Sequence, residues 1–138
     1  MYKNILLAIF ILSASSSFAQ LSKKEVIEHK VKSVAEWETD LRSRKSKPIQ
    51  ESYTKYDAKG RVLELIERDN EGLIKLHESY EYDANGNKTL EIQYQPDGSI
   101  KKKHVYKYVN GLRTERLSYD KRGNLITEKK YIYEFQEN

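Results

Sequence analysis

Five aspartates, Asp57, Asp69, Asp83, Asp97 and Asp120, each stand one to three residues before a glycine. Carboxylates at recurring places suggest either general acid–base pairs or cation ligands. The richest setting is YEYDANGN (80–87), where Asp83 is followed by Asn85 and Asn87. A calcium loop needs several oxygen ligands at alternating positions and a late bidentate glutamate, and DANGN is too short for that. An acid–base pair needs two carboxylates facing one site at a fixed separation. Acids at successive turns of a meander fall at alternate ends of the sheet, so we read them as turn formers. His77 lies five residues past Gly72 and His104 six past Gly98, which puts the two on opposite faces; His29 is remote from both. No zinc-type spacing, nucleophile elbow or phosphate-cradling glycine loop occurs. The sequence therefore predicts no enzyme, no catalytic or metal-ligating residue and no cofactor.

The glycines give the architecture. Gly60, Gly72, Gly86, Gly98, Gly111 and Gly123 are spaced 12, 14, 12, 13 and 12 residues apart, and no other glycine exists. Each follows Asp-, Asn- or Lys-rich turn residues, and glycine accepts the positive φ that tight reversals need. Between them run alternating segments rich in Val, Ile, Thr and Tyr, which read as strands. Tyr80-x-Tyr82, Tyr106-x-Tyr108 and Tyr131-x-Tyr133 recur at 26 and 25 residues, with Thr54-x-Tyr56 26 residues ahead. The unit is a two-strand hairpin of about 26 residues. Units fall at about 54–79, 80–105 and 106–130, with a partial copy at 131–138 and a degenerate one at about 30–53. Eight strands follow, near 30–39, 49–56, 61–68, 73–82, 87–95, 99–108, 112–119 and 124–134. The expected fold is all-β, an antiparallel meander of seven or eight strands. We expect an open, twisted single layer rather than a closed barrel, because Arg68, Glu78, Lys102 and Lys129 are costly to enclose unpaired. Ile27, Val31, Val34, Trp37 and Leu41 also fit a helical stripe, but a strand at 30–39 is favoured; 20–28 is a short helix or a loose tail.

Counting from the glycines places Tyr80, Tyr82, Tyr106, Tyr108, Tyr131 and Tyr133 on one face with Ile74, Ile100 and Leu125. The same count adds Ile66, Ile92, Leu117, Tyr94 and Tyr119 from the alternate strands. The reverse face, with His77, Ser79, Glu81 and Lys103, reads as solvated. The eight tyrosines Tyr80, Tyr82, Tyr94, Tyr106, Tyr108, Tyr119, Tyr131 and Tyr133 form the candidate binding face. The turn-structural set is Asp57, Gly60, Gly72, Asp83, Gly86, Gly98, Gly111, Asp120 and Gly123.

Residues 1–19 read as a secretory signal peptide: Lys3, the apolar run Ile5 to Leu12, then Ser17 and Ala19 before a break ahead of Gln20. That run is too short to cross a bilayer core of about 30 Å. Residues 20–138 then form one domain with no transmembrane helix. With no cysteine, neither a lipoprotein anchor nor a disulfide is available. Without Lys3 the chain has 24 basic and 21 acidic residues, a net charge of about +3, too mild and mixed to argue for nucleic acid. IKKKHVYKY (100–108) splits its lysines between two faces, so nucleic acid is not an expected partner.

YDAKGRV (56–62), YEYDANGN (80–87) and YDKRGNL (119–125) resemble YD repeats, the units of the Rhs/YD-repeat family and of short exported proteins with few copies. The resemblance covers about 54–134. Tyr108-Val109-Asn110-Gly111 departs from the motif: it lacks the Asp and is one residue shorter, which implies another turn type. Large members build shells around toxins or engage extracellular ligands, some of them carbohydrate; this chain is too short for a shell and has no Asp-Pro-x-Gly cleavage motif. A weaker resemblance is to MORN-like repeats of antitoxin-type proteins. The expected function is an exported, periplasmic or secreted, non-enzymatic binding or scaffolding protein of the bacterial envelope. Its partner would be a protein or carbohydrate on the tyrosine face, or a second copy through the sheet edge or face. The alternatives are an antitoxin or immunity protein, and a small barrel carrying an apolar ligand.

Overall fold

In the computed structural model, residues 21–137 are described; the expected signal peptide lies outside them. Among the described residues one helix precedes eight strands: α1 (Lys23–Glu28), β1 (Ser33–Glu38), β2 (Ile49–Tyr56), β3 (Val62–Arg68), β4 (Ile74–Tyr82), β5 (Lys88–Tyr94), β6 (Ile100–Val109), β7 (Leu112–Tyr119) and β8 (Leu125–Lys130). The strands form one antiparallel sheet in sequence order. β1 and β8 are its two edges and do not pair with each other. The sheet is open, as the sequence predicts. The helix-or-strand ambiguity resolves as a short helix followed by a strand. The last strand is shorter than expected: it ends at Lys130, and 131–137 carry no regular structure.

Five of the six glycine turns share one hydrogen-bond pattern. Gly60, Gly72, Gly86, Gly98 and Gly123 each donate to the carbonyl three residues back, at 2.9–3.0 Å. In the four turns that open on aspartate, its carboxylate accepts the N–H groups two and four residues on: Lys59 and Arg61 at Asp57, Glu71 and Leu73 at Asp69, Asn85 and Asn87 at Asp83, Arg122 and Asn124 at Asp120. The recurring aspartates are thus occupied with backbone donors. The sixth turn differs, as its sequence implies: Asn110 and Gly111 both take positive φ, 51° and 78°, and Val109 pairs directly with Leu112. This is the two-residue turn that suits strand twist.

Every neighbouring pair of strands carries one register shift. In five of the six tight hairpins it falls one pair past the turn, and in β6–β7 two pairs past it. Tyr94 faces Ile100 but Gln93 faces Lys102, so Lys101 is an extra residue in the second strand. Leu63, Lys75, Thr89, Thr114 and Ile126 are the corresponding residues elsewhere. A shift of one residue turns every later side chain over relative to its neighbour. The expected common face is therefore corrected: Ile92 lies opposite Ser79 and Lys103, Ile66 opposite His77, and Tyr119 opposite Lys103. Tyr94 and Tyr119 belong to the reverse face. That face is not simply solvated, because Ile66, Leu90, Ile92, Val105 and Leu117 lie on it beside the charged groups.

Burial is shallow. Among the described residues Val26, Tyr56 and Tyr106 are the buried hydrophobic ones, with Ser52, Thr54, His104 and Ser118 the buried polar ones. Helix α1 starts in a capping box between Ser22 and Glu25, which satisfies two of the N–H groups a helix start leaves open. It seats against the first turn: a Cβ on Gly60 would meet the Lys23 carbonyl oxygen at 2.8 Å, whereas one on Gly98 meets nothing within 4 Å. Both glycines have positive φ. Gly98→Ala should cost only the left-handed penalty, about 1–2 kcal/mol. Gly60→Ala should cost a further 1–3 kcal/mol or so from overpacking against α1. Urea midpoints of the two variants give the comparison; equal losses would mean that α1 does not press on the turn.

Candidate functional site

Six of the eight candidate tyrosines share one face with Glu78, Glu91, Gln93, Lys102, His104, Arg116 and Lys129. Strand β3 stops pairing with β4 at Glu64–Ser79, so the Val62 carbonyl lies beyond the ladder; Tyr82 donates its hydroxyl to it at 2.7 Å. One unit on, β5 stops pairing with β6 at Leu90–Val105, and Tyr108 donates to the Lys88 carbonyl at 2.9 Å. At the next, β7 stops pairing with β8 at Glu115–Lys130, and Tyr133 donates to the Arg113 carbonyl at 2.7 Å. The second tyrosine of each pair thus closes the end of a ladder, where a backbone acceptor would otherwise lack a protein partner.

The first tyrosine of each pair meets charge. Tyr80 donates to Glu78, which also accepts from Gln93 at 2.9 Å. Tyr106 donates to Glu91, and Lys88 pairs with Glu91 at 3.1 Å. Burial raises the Tyr106 hydroxyl to about 12, with the Glu91 charge adding to the effect; burial and then Glu78 push Tyr80 higher still. The ring faces carry cations: Arg61 lies 4.7 Å from the Tyr82 centroid, Lys88 4.3 Å from Tyr80 and Arg113 4.4 Å from Tyr106. Such contacts contribute about 0.5–1 kcal/mol each at exposed sites.

The other two candidates are on the reverse face. Tyr94 stacks tilted on His77 at 4.5 Å and shares a hydrogen bond with Ser79, while His77 meets Glu64 at 2.8 Å. Lys103 lies 4.8 Å over Tyr119. His104 faces away from His77, as its offset predicts; it bonds Ser118 at 2.8 Å, and burial holds its imidazole below the ordinary value. Tyr133 alone of the eight is exposed.

Sequence reasoning missed the cations that cover the rings. A signal was present: Arg61, Lys88 and Arg113 come one or two residues after Gly60, Gly86 and Gly111, the first turn of alternate hairpins. It also missed a cleft of about 280 Å³ beside the β1–β2 connection, lined by Glu38, Asp40, Arg42, Lys47, Glu51 and Asn70 among others. There Arg42 is engaged by Asp40 at 2.9 Å, and Glu38 raises the Glu51 carboxyl by sharing a hydrogen bond with it. Among the described residues no group of three His, Cys, Asp or Glu side chains is placed to hold a metal ion, and no helix is long and apolar enough to cross a membrane. No protein-family model matches the chain, and no curated protein matches it either. The resemblance to YD repeats stands on the quoted residues alone.

Two outcomes follow. Removing the hydroxyl in Tyr82→Phe or Tyr108→Phe orphans a ladder-end carbonyl and should cost about 0.5–1.5 kcal/mol in urea unfolding; an unchanged midpoint would show that water serves as well. The second concerns acid. Hydrogen bonds from the Asn87 side chain and backbone lower the Asp83 carboxyl below its ordinary value. A folded value below the unfolded one, about 3.9, adds stability above pH ~4 that is lost as pH falls through the folded value. Asp83→Asn should therefore lower the urea midpoint at pH 7, and its difference from the parent should shrink by pH ~2. A constant difference would assign the loss to packing instead.

Proposed function

We propose that this chain is an exported, non-enzymatic binding or scaffolding module of the bacterial envelope that engages a protein segment along the outer edge of β8. The observation that carries the reading is the state of that strand. All six residues of β8 are exposed, its outer side is unpaired, and Leu125, Ile126, Ile132 and Phe135 offer apolar surface along it. An unpaired edge is a template for a further strand, with main-chain hydrogen bonds supplying affinity. Lys129 and Lys130 put one cation on each face of this strand, so an extended acidic segment fits the edge better than a second copy. The tyrosine face supports a carbohydrate partner less well, because stacking on a sugar needs a bare ring and cations already cover these. The antitoxin-type alternative uses the same edge. The barrel carrier loses its cavity, because the sheet does not close.

The test has two parts. Fractionation with sequencing of the mature amino terminus should find the chain outside the cytoplasm and starting at Gln20; a cytoplasmic chain retaining Met1 would end the export reading. The Tyr131 N–H donates to Thr114 across the ladder, so by alternation the Lys130 N–H points outward, and proline there blocks strand addition. In envelope cross-linking, Lys130→Pro should lose the partner that the parent captures at β8, while Lys107→Gln should keep it. Cross-links only between copies of this chain would replace the foreign partner with a homodimer, and persistence in Lys130→Pro would rule out the edge.

A further inference from the structure

We propose that the last hairpin holds an oxyanion site on the tyrosine face, built by Arg113, Arg116 and Lys129 and suited to a phosphate monoester or free phosphate. Lys129 belongs to β8, but the site uses the tyrosine face of that strand rather than its outer backbone edge and does not depend on the binding reading.

The repeat itself shows what is missing there. Lys88 and Glu91 stand two and five residues past Gly86; Arg113 and Arg116 stand two and five past Gly111. In the earlier hairpin the cation and the carboxylate form an ion pair at 3.1 Å, and Glu91 also accepts the Tyr106 hydroxyl. In the last hairpin the carboxylate position is arginine. The neighbouring strand changes in the same sense: His104, six past Gly98, is matched by Lys129, six past Gly123. Arg116 and Lys129 are direct cross-strand partners. Side chains so placed lie about 4.5–5.5 Å apart at Cβ, and like charges there repel.

No carboxylate answers them. Arg113 bonds the Tyr108 hydroxyl and lies 4.4 Å from the Tyr106 ring, and Lys129 and Arg113 both stand 5.9 Å from the Tyr131 ring. Arg116 makes no ion pair, and its Nε is buried without a hydrogen-bond partner, alone in this respect among the described side-chain atoms. A buried charged donor left unpaired is costly. The reverse face of the same strands is matched: Lys107 pairs with Glu115, and Lys130 with Glu128 at 3.5 Å. The unmatched positive charge is therefore local to the tyrosine face, where an external anion would stand in for the carboxylate that Glu91 supplies one unit earlier. Guanidinium groups bind phosphate oxygens in forked pairs. A phosphate monoester, with a charge of about −1.5 to −2 at pH 7 and three acceptor oxygens, balances three cations better than a carboxylate does.

The experiment follows the side-chain Nε–H resonance of Arg116 by NMR in the full chain, titrated with sodium phosphate, sodium acetate or sodium chloride at constant ionic strength. A saturable shift with phosphate, at least several-fold tighter than with acetate, is expected. Lys129→Gln should weaken it several-fold, Arg116→Gln should abolish the phosphate-dependent shifts of neighbouring amides, and Lys107→Gln on the reverse face should leave binding unchanged. Equal responses to all three salts would reduce the effect to screening and overturn the site; acetate binding as tightly as phosphate would overturn the ligand class. Lys129 is exposed, so its variant reports even if Arg116→Gln fails to fold.

Discussion

An antiparallel ladder that takes one extra residue on one side must turn over every side chain beyond it. This chain does so beside each of its six tight turns. With unbroken registers, tyrosine and isoleucine would share a single face and charge would fill the other. Such a sheet is amphipathic and demands a second layer. The bulges instead send Ile66, Ile92 and Leu117 to one face and the tyrosine pairs to the other. Each face then carries a half-buried mixture of rings, aliphatic groups and charges. That division is what lets one layer stand without a cover.

The remaining stability comes from neighbours. Cross-strand pairs contribute about 0.2–1 kcal/mol each, and cations over tyrosine rings add a similar amount. The tyrosine hydroxyls that close the ladders at Val62, Lys88 and Arg113 remove the cost of a loose strand end. All these contacts link adjacent hairpins, so stability accumulates unit by unit, as in other repeat architectures. Helix α1 ends the series at the front by seating on the Gly60 turn, and Tyr56, which is buried, lies near the Leu21 backbone just before it.

Much of this was legible in the sequence. Glycine spacing marked the strands, aspartate placement marked the turns, and Asn110-Gly111 announced its different reversal. The opposed histidines also followed from counting within strands. The pairing of faces between strands did not, because the extra residues Leu63, Lys75, Thr89, Lys101, Thr114 and Ile126 share no residue type. A bulge that any side chain can occupy leaves no compositional mark. The ring-covering cations were visible only as basic residues after alternate glycines, and their separations from the rings vary, from 5 residues for Arg113 and Tyr108 to 21 for Arg61 and Tyr82, so no fixed spacing marks the pairs.

The two ends of the sheet are finished differently, and this locates function more sharply than the tyrosines do. At the front, α1 sits on the Gly60 turn, and the edge strand β1 keeps Val34 and Glu36 half-buried. At the back, β8 is the last strand among the described residues and is exposed throughout. A repeat that merely stopped would leave the charges of an interior unit in place. Here the last unit also exchanges Glu91 for Arg116 and His104 for Lys129, changes that add positive charge where none is neutralised. Stability alone gives no reason for that exchange, since like charges across a strand pair weaken it. A unit that departs from its own repeat against its own stability is the place to look for a ligand.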